Sequence, residues 1–288
     1  MFTQREIRKR IAVVQSTRRI TSSMKHVAAA RLRGAQQKAL SDRPYTRAIH
    51  EITARVSRRL GRDAPLMWRR PRSLDCVDLV VITSDRGLCG GFNENLLHQA
   101  EDGILDHLTH NIAVRCFAAG RQGARWLASR GYDVVEPPRE GGREAAAAWI
   151  MRSVWERYER GESAGCNLAF NRFVSASRHK AAFWNLLPLS HRGFDREHNI
   201  EYIYEPTREE LLDALARESL TSAMNQAFLE SEAAEHSARM TAMDAATRNA
   251  DDMIAHLRSI YNRARQEHIT SELMDIVNGA EALRMAQA

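Results

Sequence analysis

Residues 83–96, TSDRGLCGGFNENL, hold the residue types from which a chemical site could be built. An apolar run through Val77, Leu79, Val80, Val81 and Ile82 leads into Asp85, Arg86, Cys89 and glycines at 87, 90 and 91. A helix is then predicted from Asn93. Strand, glycine turn and helix start is the layout of many phosphate loops, because backbone N–H groups converge there on an anion. The residues fail both phosphate tests. A Walker loop ends in Lys followed by Ser or Thr, whereas the matching positions read Gly-Gly-Phe-Asn, and the glycine spacing does not fit Gly-x-Gly-x-x-Gly. A nucleophilic Cys89 would need a base and an orienting carboxylate. His98, the available base, lies on the following helix, about two to three turns away from Cys89. The stretch therefore reads as a tight turn that lets strand and helix pack closely, with Asp85 and Arg86 pairing locally or facing a partner.

A second candidate is DHLTH, with His107 and His110 at a helical spacing that can bind a metal. It lacks a second pair of ligands, so a surface helix is expected. No metal, nucleotide or other cofactor is assigned to this chain.

Three zones must position these residues. In the first, Arg5 to about Arg59, Ile7, Ile11 and Val14 step by four and three, and Ile20, Met24 and Val27 repeat the step. That predicts a helix over 1–60 with a narrow apolar seam. Pro44 is expected to kink or interrupt it, with Ser41 or Asp42 capping a restart, before Gly61, Pro65 and Pro71 end it. The second zone, 74–206, alternates predicted strands (Val77–Thr83, Ile112–Phe117, Asp133–Val135, Asn167–Phe173, Ala182–Leu187) with helices (Asn93–His107, Arg121–Arg130, Glu144–Arg160). This is the rhythm of a small Rossmann-like, mainly parallel α/β domain. The third zone, 207–286, has neither proline nor glycine from Thr207 to Asn278. Ala250, Met253, Leu257, Ile260 and Ala264 step by three and four, as do Ile269, Leu273, Ile276 and Ala280. A helix of seventy-odd residues would extend about 105 Å, too far to bury its seam on its own globular part. The expected fold is thus an α/β domain inserted between two long terminal helices that pair as an antiparallel coiled coil. The longer helix ends in a tip left for another protein.

Charge is placed unevenly. Residues 1–72 carry nineteen Lys or Arg against four acids, whereas the rest carries 23 against 32. So basic a helix implies an acidic partner, nucleic acid or a lipid surface. The nucleic-acid reading lacks interleaved aromatics and any helix-turn-helix or zinc pattern. No apolar run is long enough to span a membrane. Four scattered cysteines (76, 89, 116, 166) suit a reducing compartment. The N-terminus shows no secretory signal, and Glu6 interrupts any organelle presequence.

With two long terminal helices around a small α/β domain, the chain resembles the gamma subunits of F-type ATP synthases. EIRKRIAVVQSTRRITSSMKHVAAARLR resembles that family's opening helix, and SDRPY and TSDRGLCGGFNENL its next two motifs. LLPL and YIYEP lead into SARMTAMDAATRNADDMI, LRSIYNRARQEHIT and ELMDIVNGA, which are similar to its C-terminal signature. The resemblance implies a non-catalytic central-stalk rotor whose partners are the alpha and beta subunits of the head, the epsilon subunit and the c-ring. ATP, ADP and magnesium would bind alpha and beta, not this chain. It also implies a peripheral place on the cytoplasmic face of a bacterial inner membrane, with no nucleic acid bound. Met24 and Lys25 match the neck facing the beta lever loop, with Asp85 and Arg86 nearby. Arg239, Thr270, Glu272 and Asp275 match contacts with the head. Three departures are visible: Lys25 where an acid is common, Met274 for a polar residue, and Asp275 for Glu.

Overall fold

The computed structural model describes residues 3–57, 65–69, 75–138, 140–189, 205 and 207–286, apart from the side chains of 275 and 279–286. The expected break through Gly61 and Pro71 lies outside the described residues. Helix α1 runs Gln4–Ser57 and, after a short turn of helix at Leu66–Trp68, β1 spans Cys76–Ile82. Then follow α2 (Phe92–Thr109), β2 (Ala113–Ala119), α3 (Arg121–Ser129), β3 (Asp133–Val135), α4 (Gly142–Glu159), β4 (Cys166–Ser175), β5 (Arg178–Leu187) and α5 (Arg208–Ala286).

The sheet order is β3-β2-β1-β4-β5. The first four strands are parallel, and β5 closes a hairpin antiparallel to β4. β1 is central and almost wholly buried because both of its faces are covered. Its side chains alternate. Leu79 and Val81 join Leu96, Leu97, Ile104 and Leu127 of α2 and α3 on one face. Val80 and Ile82 join Ile150 and Val154 of α4, and Leu220 and Met224 of α5, on the other. The strands expected from sequence are present, and the last begins four residues earlier, at Arg178.

The chain divides into two compact units that cut through both long helices: Met1–Val27 with Ala242–Ala288, and Ala28–Thr241. In the larger unit the first part of α5 packs on the sheet, burying Leu212, Ala216, Leu220 and Met224 with Phe117, Leu168 and Phe170. The expectation that this helix could not bury its stripe on its own globular part is corrected for these turns. Farther along, Ala233, Ala234 and Ala238 meet Leu32, Ala35 and Ala39 of α1, where small side chains let the backbones approach. Glu230, 3% exposed, accepts from Arg43 Nε (2.8 Å), the Phe173 N–H (2.9 Å) and Gln226 Nε2 (2.9 Å). One buried carboxylate thereby ties α1, β4 and α5 together.

Pro44 neither interrupts α1 nor lets Ser41 or Asp42 cap a restart. The missing N–H and ring clash cost about 3 kcal/mol in a helix interior. Contacts on both sides hold the helix through it: the Ala39 carbonyl accepts from Gln226, Arg43 pairs with Glu230, and buried Thr46 lies against Ser222.

In the smaller unit α1 and α5 pair antiparallel. Gln4 bonds the Ala264 carbonyl, Arg8 bonds Tyr261, Arg18 pairs with Asp251, Thr21 meets Thr247 at 2.9 Å, and Lys25 pairs with Asp244. The seam keeps the seven-residue step from Ile7 through Thr21 to Ala28, while Ile20 and Val27 stay 58% and 54% exposed. On α5 it runs through Met243, Ala250 and Ile254, leaving Met253 and Ile260 exposed. Of the residues whose spacing predicted the seam, Ile7 and Ala250 are buried and Ile11, Val14, Met24, Leu257 and Ala264 half-buried, whereas Ile20 and Val27 give way to Thr21 and Ala28, and Met253 to Ile254.

Two stability outcomes follow. Pro44→Ala restores a donor at an exposed helix position and should raise stability by about 1–2 kcal/mol, after allowing for the looser unfolded chain. A lowered urea midpoint would show instead that the ring is needed. Glu230→Ala should cost about 2–4 kcal/mol in the same titration, because it leaves the Phe173 N–H without its acceptor and takes the buried carboxylate from Arg43 and Gln226.

Candidate partner-binding surfaces

The β1–α2 loop sits outside the carboxyl end of the central strand, where doubly wound sheets bind ligands. A cavity of about 320 Å³ opens there, lined by Thr83, Asp85, Gly120, Arg121, Arg143 and Glu235 among others. Its donors already have protein partners. At the start of α3 the Gly123 N–H donates to Thr83 Oγ1 (2.9 Å), the Gln122 N–H to the Ser84 carbonyl (3.1 Å) and the Arg121 N–H to Asp85 Oδ1 (3.2 Å). These are the groups that would otherwise hold a phosphate. The lining charges are paired too: Arg121 lies 3.8 Å from Asp85, and Arg143 contacts Glu232 and Glu235. A Cβ at Gly120 would stand 2.3 Å from the Thr83 carbonyl oxygen, at a left-handed φ of +117°. Close packing is the work of this glycine, on the neighbouring loop rather than in the motif itself.

Cys89 is not placed as a nucleophile. It is 2% exposed, its sulfur faces Ser84 Oγ and Asn93 Nδ2, and burial raises its thiol pKa. His98 instead lies near Glu94, Glu101 and Trp126. His107 contacts Asn167 and His110 its own helix, and no metal-holding cluster occurs among the described residues.

The other sequence-derived residues separate into engaged and open ones. Lys25 is held by Asp244, and beside it Met24 is half-buried. The Asp244 carboxyl stays below its usual pKa range, chiefly through the Lys25 hydrogen bond. Asp85 turns to Arg121, whereas Arg86 is exposed. Arg239 points inward: one nitrogen meets Glu235 at 2.8 Å, and the other donates to the carbonyls of Arg86 (3.2 Å) and Gly87 (3.4 Å). Thr270 and Glu272 are exposed and, among the described residues, bond within α5, to the Gln266 carbonyl and His268. The side chain of Asp275 lies outside the described residues.

Around Thr270 and Glu272 the tip is apolar and open. Ile269, Leu273, Met274, Ile276 and Val277 are 45–68% exposed, in turns beyond Ala264 where the start of α1 is reached. Sequence reading anticipated the bare tip but overlooked Leu88, which is 63% exposed at φ 62° beside Arg86. Its signal was a leucine standing among three glycines at a tight turn.

Among the described residues the geometry contains a scaffold and two charged or apolar faces, and comparisons with known proteins place the chain in a family. A family model described as ATP synthase matches residues 3–283. The ATP synthase gamma chain of an Anaeromyxobacter species is 40% identical over 294 residues, covering 99% of this chain and all of that one. That of Geobacter metallireducens is 39% identical with the same coverage. Among solved structures, a chain of the Euglena gracilis mitochondrial ATP synthase OSCP/F1/c-ring assembly shares the fold. Its TM-score is 0.66 and its identity 17%, over 99% of this chain and 96% of that one. A Tetrahymena thermophila central stalk/c-ring chain aligns at TM-score 0.59 and 22% identity over 79% and 99%. From end to end, therefore, the chain belongs to the gamma-chain family of ATP synthases.

Proposed function

We propose that this chain is the rotor of an F-type ATP synthase central stalk. Rotation driven by ion flow through the c-ring passes along α5 and forces the catalytic beta subunits through successive conformations. The observation that carries this reading is the tip of α5, where exposed apolar residues continue beyond the start of α1. A row of apolar side chains left in water at a helix end is a contact surface for another protein. The head's alpha and beta subunits are the proposed occupants there, and the epsilon subunit and c-ring take the α/β domain. The protein itself is non-catalytic and binds neither ATP nor ADP, since the helix N-terminus at the α/β cavity is occupied by Thr83, Ser84 and Asp85.

No helix among the described residues is long and apolar enough to cross a membrane. Attachment is proposed to be peripheral, on the cytoplasmic face of a bacterial inner membrane. A nucleic-acid role is weakened by the pairing of Arg18, Lys25 and Arg43 with carboxylates of α5, although Lys9, Arg19, Arg31 and Arg33 remain exposed. Those exposed cations suit an acidic loop on the head.

Co-purification tests the assignment. The tagged chain should retain alpha and beta subunits and restore ATP-driven ion pumping to a complex lacking its own gamma chain. Pumping at the full rate without this chain would sink the proposal. Within such complexes, ending the chain after Asn278 should leave pumping mildly affected, whereas ending it before Ile269 should lower pumping by about tenfold as the tip contacts vanish. Equal pumping by both truncations would remove the tip from the account.

A further inference from the structure

Helices α4 and α5 run antiparallel in the larger unit, since Arg143 at the start of α4 contacts Glu232 and Arg217 contacts Glu159 at its end. Between them, with Lys38 and Asp42 of α1 along one side, lies a cavity of about 630 Å³, apart from the surfaces described above. Its floor is apolar. Ala147, Met151 and Trp155 of α4 and Met224 and Phe228 of α5 line it, each 8% exposed or less. Its mouth is open, because Ala148, Arg152, Thr221 and Asn225 are exposed. The lining from Glu144 to Trp155 covers about 16 Å of α4 at 1.5 Å per residue. Such a volume drawn out over that length is a slot.

The two ends of the slot differ. At one, charges answer each other, with Arg143 pairing to Glu232 at 3.2 Å. The other end, at Trp155 and Arg217, has no acid in its lining. Arg217 stacks on the Trp155 ring at 4.0 Å and pairs with Asp213 and Glu159. Two polar groups are left over. Arg152 is exposed and has no ion-pair partner among the described residues. The Trp155 indole N–H is buried and finds no acceptor among them. A buried donor without an acceptor is costly, so it calls for an acceptor from outside the chain. Water satisfies an indole N–H but leaves the apolar floor wet.

We propose that the slot binds a medium-chain fatty carboxylate, with the chain lying along Met151, Met224 and Phe228 and the carboxylate meeting Arg152 and the Trp155 N–H. A carboxylate takes strong charge-assisted bonds from a guanidinium, and unbranched methionines adapt their shape to a flexible chain. A cavity of this volume suits a small molecule, whereas a partner helix needs a groove with anchors at successive turns. The site stands whether or not the chain is a rotor.

The indole N–H resonances of the full-length chain, labelled with heavy nitrogen at its five tryptophans, test the site. Trp155→Phe identifies the Trp155 signal. Dodecanoate, added below its micelle concentration, should shift that signal saturably. Trp68 also carries a buried, unpaired indole N–H but does not line the slot, so its signal should stay in place. Arg152→Gln, at an exposed position, should weaken binding by about tenfold, and Arg152→Lys by less. Dodecanol, which has the chain without the charge, should bind more weakly than dodecanoate. Ala148→Trp sets a ring in the open mouth and should block entry. No saturable shift at Trp155, an equal shift at Trp68, equal binding of dodecanol, or full affinity in Arg152→Gln or Ala148→Trp would each overturn the site. Assembled with alpha and beta subunits, the wild-type chain should retain more labelled dodecanoate than the Ala148→Trp chain. Equal retention would mean that another subunit covers the slot, and would overturn the site in the working complex. Failure of the chain to join alpha and beta would strike the rotor reading alone, with dodecanoate binding by the free chain unaffected.

Discussion

The apolar seam of a 79-residue helix has to be covered, and the rest of the structure follows from how α5 meets that demand. Its first turns bury Leu212, Leu220 and Met224 against the sheet. Ala233, Ala234 and Ala238 then set themselves close against Leu32, Ala35 and Ala39. In the smaller unit, Met243, Ala250 and Ile254 pair with the start of α1, and from Arg265 to Asn278 the described side chains are open. Helical propensity alone would not stabilise so long an element in water, since most helix stability in proteins comes from packing one face. Each stretch is stabilised by what lies against it, and the last stretch is left exposed among the described residues.

Polar groups occur where this covering needs direction as well as adhesion. Glu230 satisfies three donors from three elements in a nearly dry site. Arg18–Asp251, Thr21–Thr247 and Lys25–Asp244 occupy successive positions along the seam in the smaller unit. Half-exposed ion pairs add little stability on their own, so their value lies more in orientation than in strength. Part of the strong basic character of α1 is answered within the chain, and its remaining exposed cations are available to other subunits.

Much of this was legible in the sequence. The strand positions, the order of helices, the two long termini and the bare tip all followed from period, proline placement and length. Pro44 misled because a helix breaker is judged locally, whereas Glu230 and Gln226 support it from far along the chain. The seam was displaced by one residue at Ile20 and Val27, which are more apolar or larger than the buried Thr21 and Ala28, and at Met253 beside buried Ile254, whereas Ile7 and Ala250 lie where the spacing put them. Register depends on which residue meets which across the pair, and apolar spacing on one helix does not specify that. The inward turn of Arg239 was illegible for the same reason, since its acceptors are backbone carbonyls some 150 positions away.

The central claim is mechanical: this chain turns within a ring of catalytic subunits and passes that rotation on. It is tested most directly by assembling the chain with alpha and beta subunits and attaching an optical probe to a cysteine introduced at the exposed Thr109 position of the α/β domain. The account predicts one-directional, stepwise rotation of the probe while ATP is hydrolysed, stopping when ATP is removed. A probe that stays fixed relative to the alpha and beta subunits during sustained hydrolysis would contradict it.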